Sequence, residues 1–152
     1  MRLAGARSRS TGKLRPTGEE CVILSPMASS VLVVDDDPNL VRLMTKFLKL
    51  EGFSPVPAAN GQEALTYLRG GGEASVILLD LRMPVMDGWA FRREQRADAG
   101  LAGIPIVILS GVEADRVHEL DAAASFNKPV SFPEVVDVVR RLCETPRVET
   151  SR

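Results

Sequence analysis

Short apolar runs that each stop at a polar residue set the main constraint on this chain. Val31-Leu32-Val33-Val34 stops at Asp35-Asp36, Val76-Ile77-Leu78-Leu79 at Asp80, and Ile104-Pro105-Ile106-Val107-Ile108-Leu109 at Ser110. A very short strand-like segment, Ser125-Phe126-Asn127, is followed by Lys128-Pro129. Continuous apolar runs of this length, bounded by turn residues, predict strands buried on both faces. A carboxylate at the tip of such a strand is costly unless something charged meets it.

Between the runs the period changes to that of a helix. Pro38 suits a first helical turn, and Leu40, Leu43, Met44, Phe47 and Leu48 then form one apolar face that stops near Gly52. Residues 53–58 hold Pro55 and Pro57, so a strand there belongs at a sheet edge. Asn60 with Glu63 predicts a capped helix start, Ala64, Leu65 and Leu68 its packing face, and Gly70-Gly71-Gly72 its end. A helix is expected over residues 89–98, anchored by Trp89 and Phe91, and another within 113–123. Ser131 and Glu134 bracket Pro133 at the start of the last helix, whose inner side is Val135, Val136, Val138, Val139 and Leu142.

Strand followed by helix, five times over, predicts an α/β fold with a parallel sheet covered on both faces. Ligands in such sheets sit outside the carboxyl ends of the strands. Asp35, Asp36, Asp80, Ser110 and Lys128 all fall there from sequence order alone. Taken singly, each has an ordinary reading: an acidic turn, a helix cap, a surface lysine. Taken together they supply a carboxylate nucleophile, a point charge, a hydroxyl donor and an all-oxygen site for Mg²⁺. Phosphoryl transfer needs little beyond in-line positioning and charge neutralisation.

Composition narrows the classes. A formal net charge of −1 gives no general attraction to nucleic acid or to an anionic membrane surface. No apolar run approaches the roughly 20 residues of a membrane-spanning helix, and a cytoplasmic setting is expected. Cys21 and Cys143 match no metal-ligand spacing, and His118, the single histidine, is a poor metal ligand on its own. Residues 1–18 carry Arg2, Arg7, Arg9, Lys13 and Arg15 and no acid. They lack the apolar stripe of a transit peptide, so residues 1–28 read as a disordered basic extension, with Met27 as an alternative start.

The motifs Val-Leu-Val-Val-Asp-Asp-Asp-Pro (31–38), Ala-Asn-Gly-Gln-Glu-Ala-Leu (59–65) and Leu-Leu-Asp-Leu-Arg-Met-Pro-Val-Met-Asp-Gly (78–88), with Ser110 and Lys128-Pro129, resemble the receiver domain of two-component response regulators. The resemblance implies a flavodoxin-like, doubly wound, five-stranded parallel sheet in the order 2-1-3-4-5 with five helices, spanning residues 29–144. Residues 145–152 would be a short polar tail. It implies Asp80 as phosphoacceptor, Mg²⁺ held by Asp35, Asp36, Asp80 and the backbone carbonyl of Arg82, and a phosphoryl group contacted by Ser110 and Lys128. A cis Lys128–Pro129 bond is expected as well.

The implied function is that of a single-domain regulator rather than a conventional enzyme, with only self-catalysed phosphotransfer and autodephosphorylation. Its partners would be a sensor histidine kinase or histidine phosphotransfer protein and a downstream protein target, with no nucleic acid and no membrane. Three departures stand out. Ser125 occupies the place of the family's switch aromatic, the segment between Ser110 and Lys128 is short by about one helical turn, and Arg82 sets a basic side chain beside the acceptor. Two alternatives remain at this point. One is a haloacid-dehalogenase-like phosphatase using Asp35 and Asp37, the other a pseudo-receiver that binds partners without being phosphorylated.

Overall fold

A computed structural model describes residues 29–111 and 114–144. The basic extension, Met27, Cys21 and the polar tail lie outside the described residues. In chain order the elements are β1 (Ser30–Val34), α1 (Pro38–Leu50), β2 (Ser54–Ala58), α2 (Gly61–Arg69), β3 (Val76–Asp80), α3 (Gly88–Ala97), β4 (Ile106–Ser110), a 3₁₀ segment (Ala114–Leu120), β5 (Ala124–Asn127) and α4 (Phe132–Glu144). The five strands form one sheet in the order β2-β1-β3-β4-β5, and every pair is parallel.

Alternation along the buried strands divides the core in two. Leu32, Val34, Ile77, Leu79, Ile106 and Ile108 face α2 and α3. Val31, Val33, Val76, Leu78, Val107 and Leu109 face α1 and α4. Burying each of these side chains contributes on the order of 1.5–3 kcal/mol, which is why both faces of the central strands are apolar. The proline-bearing strand β2 lies at an edge, where a missing N–H costs no ladder bond.

The expected helix ends are present. Asp37 caps α1, accepting from the N–H groups of Asn39 and Leu40 at 3.0 and 3.4 Å. Gly52, at φ +94°, turns the chain out of α1 in a region open to glycine. Asn60 accepts from the Glu63 N–H, while the Glu63 carboxylate accepts from the Ala59 N–H, both at 2.9 Å. His118 is exposed, and Cys143 is a partly buried free thiol on α4.

One expectation needs correction. The described residues hold four α-helices rather than five, and the segment between β4 and β5 is 3₁₀. The connection is short and must run back along the length of a strand, roughly 13 Å for four residues. Seven residues rise about 10 Å as α-helix and about 14 Å as 3₁₀, so the tighter helix spans the gap. The segment also brings little apolar surface, chiefly Val117 and Leu120.

Candidate functional site

The carboxyl edge of the sheet gathers the acids. Asp35 follows β1 and Asp80 ends β3, and the register pairing Val34 with Leu79 brings the two level. Oxygens of Asp35, Asp36 and Asp80 all lie within 4.8 Å of one another. Asp35 is held by its N–H, which donates to the Ala58 carbonyl at 3.1 Å, and by its carboxylate, which accepts from the Asp37 N–H at 2.9 Å. The Asp37 carboxylate is turned to cap α1 and stands outside the cluster, so the phosphatase alternative loses its second acid.

Lys128 closes the site from the far side. Its backbone N–H donates to the Ser110 carbonyl at 2.9 Å, continuing the parallel pairing of β4 and β5. Its ammonium reaches Asp35 Oδ2 at 2.8 Å and Asp80 Oδ1 at 3.2 Å. The Lys128–Pro129 bond is cis, as expected. Ser110 is buried at the end of β4, between the strands that bring Asp80 and Lys128. Arg82 is exposed and its backbone hydrogen-bonds the Asp80 carboxylate.

Charge crowding shows in the titration of Asp80. Burial, then the neighbouring Asp35, raises Asp80 to about 6, against the pull of Lys128 and the Arg82 backbone. Burial works to lower the Lys128 ammonium, but Asp35 and Asp80 outweigh it and hold it above its ordinary value. The cluster is therefore short of positive charge even with the lysine in place. Three carboxylates with no histidine or cysteine among them suit a small hard cation, so these residues fit Mg²⁺.

The loop after Asp80 is tightly fastened. The Met86 N–H donates to the Pro84 carbonyl at 2.8 Å across Val85, whose φ is +72°. That is a γ-turn at a β-branched residue, a strained arrangement. The Met86 carbonyl then accepts from the Gly61 N–H at the start of α2, at 2.9 Å. Asp87 caps α3 by accepting from the Ala90 N–H at 2.9 Å. Gly88 is forced by proximity, because a Cβ there would lie 2.5 Å from the Asp80 carbonyl oxygen.

All five sequence-predicted strand-end residues thus meet at one edge, with the Arg82 backbone beside them. Sequence reasoning missed a second polar cluster under the 3₁₀ segment. The buried Arg92 guanidinium donates to the carbonyls of Leu120 (2.9 Å) and Asp121 (3.0 Å) and to Gln95 Oε1 (2.7 Å). Gln95, fully buried, donates to the carbonyls of Leu101 and Ile104. The signal was available: Gly88, Phe91, Arg92 and Gln95 have the spacing of a helix's inner face, with two polar residues on it. Ser125 is exposed, while Phe126 packs toward α1 and α4, so the expected displacement of the aromatic is present.

Comparison with known proteins agrees with this geometry. The family model of the response regulator receiver domain matches residues 31–140, and the chain belongs to that family. Among curated proteins it is similar to the DNA-binding response regulator MtrA of Mycolicibacterium smegmatis, 37% identical over 121 residues, covering 77% of this chain and 51% of the relative. Response regulator Rre1 of Synechocystis is 36% identical over 118 residues, covering 74% and 51%. The chain spans about half the length of these curated relatives.

Among solved structures, a response regulator receiver protein from Pseudomonas putida matches with TM-score 0.71 and 28% identity, covering 77% of this chain and 99% of that one. Chemotaxis response regulator CheY4 of Vibrio cholerae matches with TM-score 0.69 and 26% identity, covering 76% and 99%. The sheet order and flavodoxin-like fold are those of this family. No helix among the described residues is long and apolar enough to cross a membrane.

Proposed function

We propose that Asp80 accepts a phosphoryl group from the phosphohistidine of a sensor histidine kinase or histidine phosphotransfer protein. The observation that carries this reading is the Lys128 ammonium, 3.2 Å from a buried Asp80 carboxylate that shares its edge with Asp35 and Asp36. An Asp80 oxygen attacks phosphorus, the P–N bond breaks, and the imidazole leaves as the P–O bond forms. Lys128 neutralises charge on the transferred group, and Ser110, at the adjacent strand end, hydrogen-bonds one of its oxygens.

Asp35, Asp36, Asp80 and the Arg82 carbonyl would hold Mg²⁺, which when bound supplies Lewis-acid stabilisation of the phosphoryl oxygens. Turnover of a separate substrate is not part of this reading. The only chemistry is phosphotransfer to Asp80 and its slow hydrolysis. Phosphorylation adds charge that Lys128 and Ser110 gather, shifting a pre-existing equilibrium and so changing which protein the domain binds. DNA binding is named for MtrA, a protein about twice as long as the matched region, and the proposed output here is protein binding.

The test is intact-mass spectrometry of the full chain after incubation with acetyl phosphate and Mg²⁺. A gain of one phosphoryl group that Asp80→Asn abolishes supports the reading. A mass that never rises under conditions that label a control receiver overturns it and favours a module that binds without phosphorylation.

A further inference from the structure

Contacts of unequal strength fasten the two ends of the 3₁₀ segment to α3. Its C-terminal end is clamped by the buried Arg92, which donates to the carbonyls of Leu120 and Asp121. Its N-terminal half is held by Arg116, whose guanidinium carbon sits 4.6 Å from the Trp89 ring centroid. The Arg116 side chain is 60% exposed and also pairs with Glu119 at 3.4 Å. Charge-assisted hydrogen bonds in a buried setting outweigh one solvent-exposed cation–π contact. Any pull on this segment therefore opens the stack before the clamp.

Each half of the stack is tied to a residue of the acceptor site. Trp89 follows Gly88, whose N–H donates to the Leu81 carbonyl at 3.0 Å and whose Cα lies against the Asp80 backbone. Arg116 follows Ser110 closely in sequence, on the connection that leaves β4. The stack thus joins the start of α3, beside Asp80, to the segment that follows β4. The conformation described is one in which Lys128 pairs with Asp80 as a free carboxylate.

We propose that the Arg116–Trp89 stack is the releasable latch of this domain, closed while Asp80 is a free carboxylate and opened when Asp80 carries a phosphoryl group. Arg116 is a positioning residue, acting on the site through Trp89. The inference rests on the reading of Asp80 as phosphoacceptor. By linkage, weakening a contact made only in the closed conformation tightens binding of whatever favours the open one.

Isothermal titration of the Mg²⁺-loaded full chain with beryllofluoride, a phosphoryl mimic, tests the latch. Emission of Trp89, the single tryptophan, is recorded in parallel. The wild type binds with a change in emission. Arg116→Met binds roughly two- to fivefold tighter, the range set by one exposed cation–π contact, and its emission change shrinks. Arg96→Gln controls for net charge: it removes an exposed cation at the clamped end, where Arg96 reaches the Glu119 carbonyl at 3.3 Å, and leaves the affinity unchanged. Equal affinities for wild type and Arg116→Met, or an equal shift in Arg96→Gln, overturn the latch while the acceptor reading stands. A wild type that binds no beryllofluoride overturns both.

Discussion

Lys128 Nζ lies 3.2 Å from Asp80 Oδ1 although the two residues leave the sheet on opposite sides of β4. The ammonium reaches across Ser110 to the far strand end and also contacts Asp35 at 2.8 Å. One cation thus bridges two buried carboxylates, and a third, Asp36, is left to water or a metal ion. The site is built to gain positive charge.

Removing the Asp80 charge should stabilise the fold in a pH-dependent way. Asp80 titrates near 6 in the folded chain against 3.8 ordinarily, so its ionisation opposes folding. The penalty is absent below pH 3.8, grows as pH rises toward 6, and is full above that. Asp80→Asn should therefore gain up to about 3 kcal/mol at pH 7.5 without Mg²⁺, and nothing near pH 4. Urea unfolding at the two pH values measures it.

Magnesium should relieve the same crowding. At about ten times its dissociation constant a bound ion adds roughly 1.4 kcal/mol, a few degrees in Tm. Thermal melts with and without Mg²⁺ should show this rise in the wild type and a clearly smaller one in Asp36→Asn. Asp37→Asn, whose side chain caps α1 outside the cluster, should keep the full rise.

Gly88→Ala should damage the loop that follows Asp80. The added methyl meets backbone on two sides, 2.5 Å from the Asp80 carbonyl oxygen and 2.8 Å from the Leu81 Cα. Neither can move without shifting β3. A loss of about 1–3 kcal/mol is expected in denaturant unfolding, together with slower labelling by acetyl phosphate.

Arg92→Met should cost roughly 1–3 kcal/mol, because the Leu120 and Asp121 carbonyls lose their donor in a buried setting. Hydrogen exchange should localise the loss to residues 116–122, with the strands unaffected.

The fold was largely legible because two periods, alternate strand residues and helical stripes, hold through the core. The site was legible because Asp35, Asp80 and Ser110 each end an apolar run and Lys128 follows a short strand-like segment, where strand order alone converges them. The fourth connection was not. The choice of 3₁₀ over α-helix turns on the distance to be spanned, which no local pattern states. The Arg92 clamp was legible only in part: the inner stripe of α3 marks two polar residues, but the Leu120 and Asp121 carbonyls that make a buried arginine tolerable come from elsewhere in the chain and leave no local signal. The stack of Arg116 on Trp89 pairs residues from different elements, with no periodicity to mark it.

Trapping the acyl phosphate tests the central claim most directly. Borohydride reduction of the phosphorylated chain converts an aspartyl phosphate to homoserine, and peptide mass spectrometry then finds it. Homoserine at position 80, and at no other aspartate, is the predicted result. Reduction at Asp35, Asp36 or Asp37, or at none despite a phosphoryl gain in mass, would contradict the account.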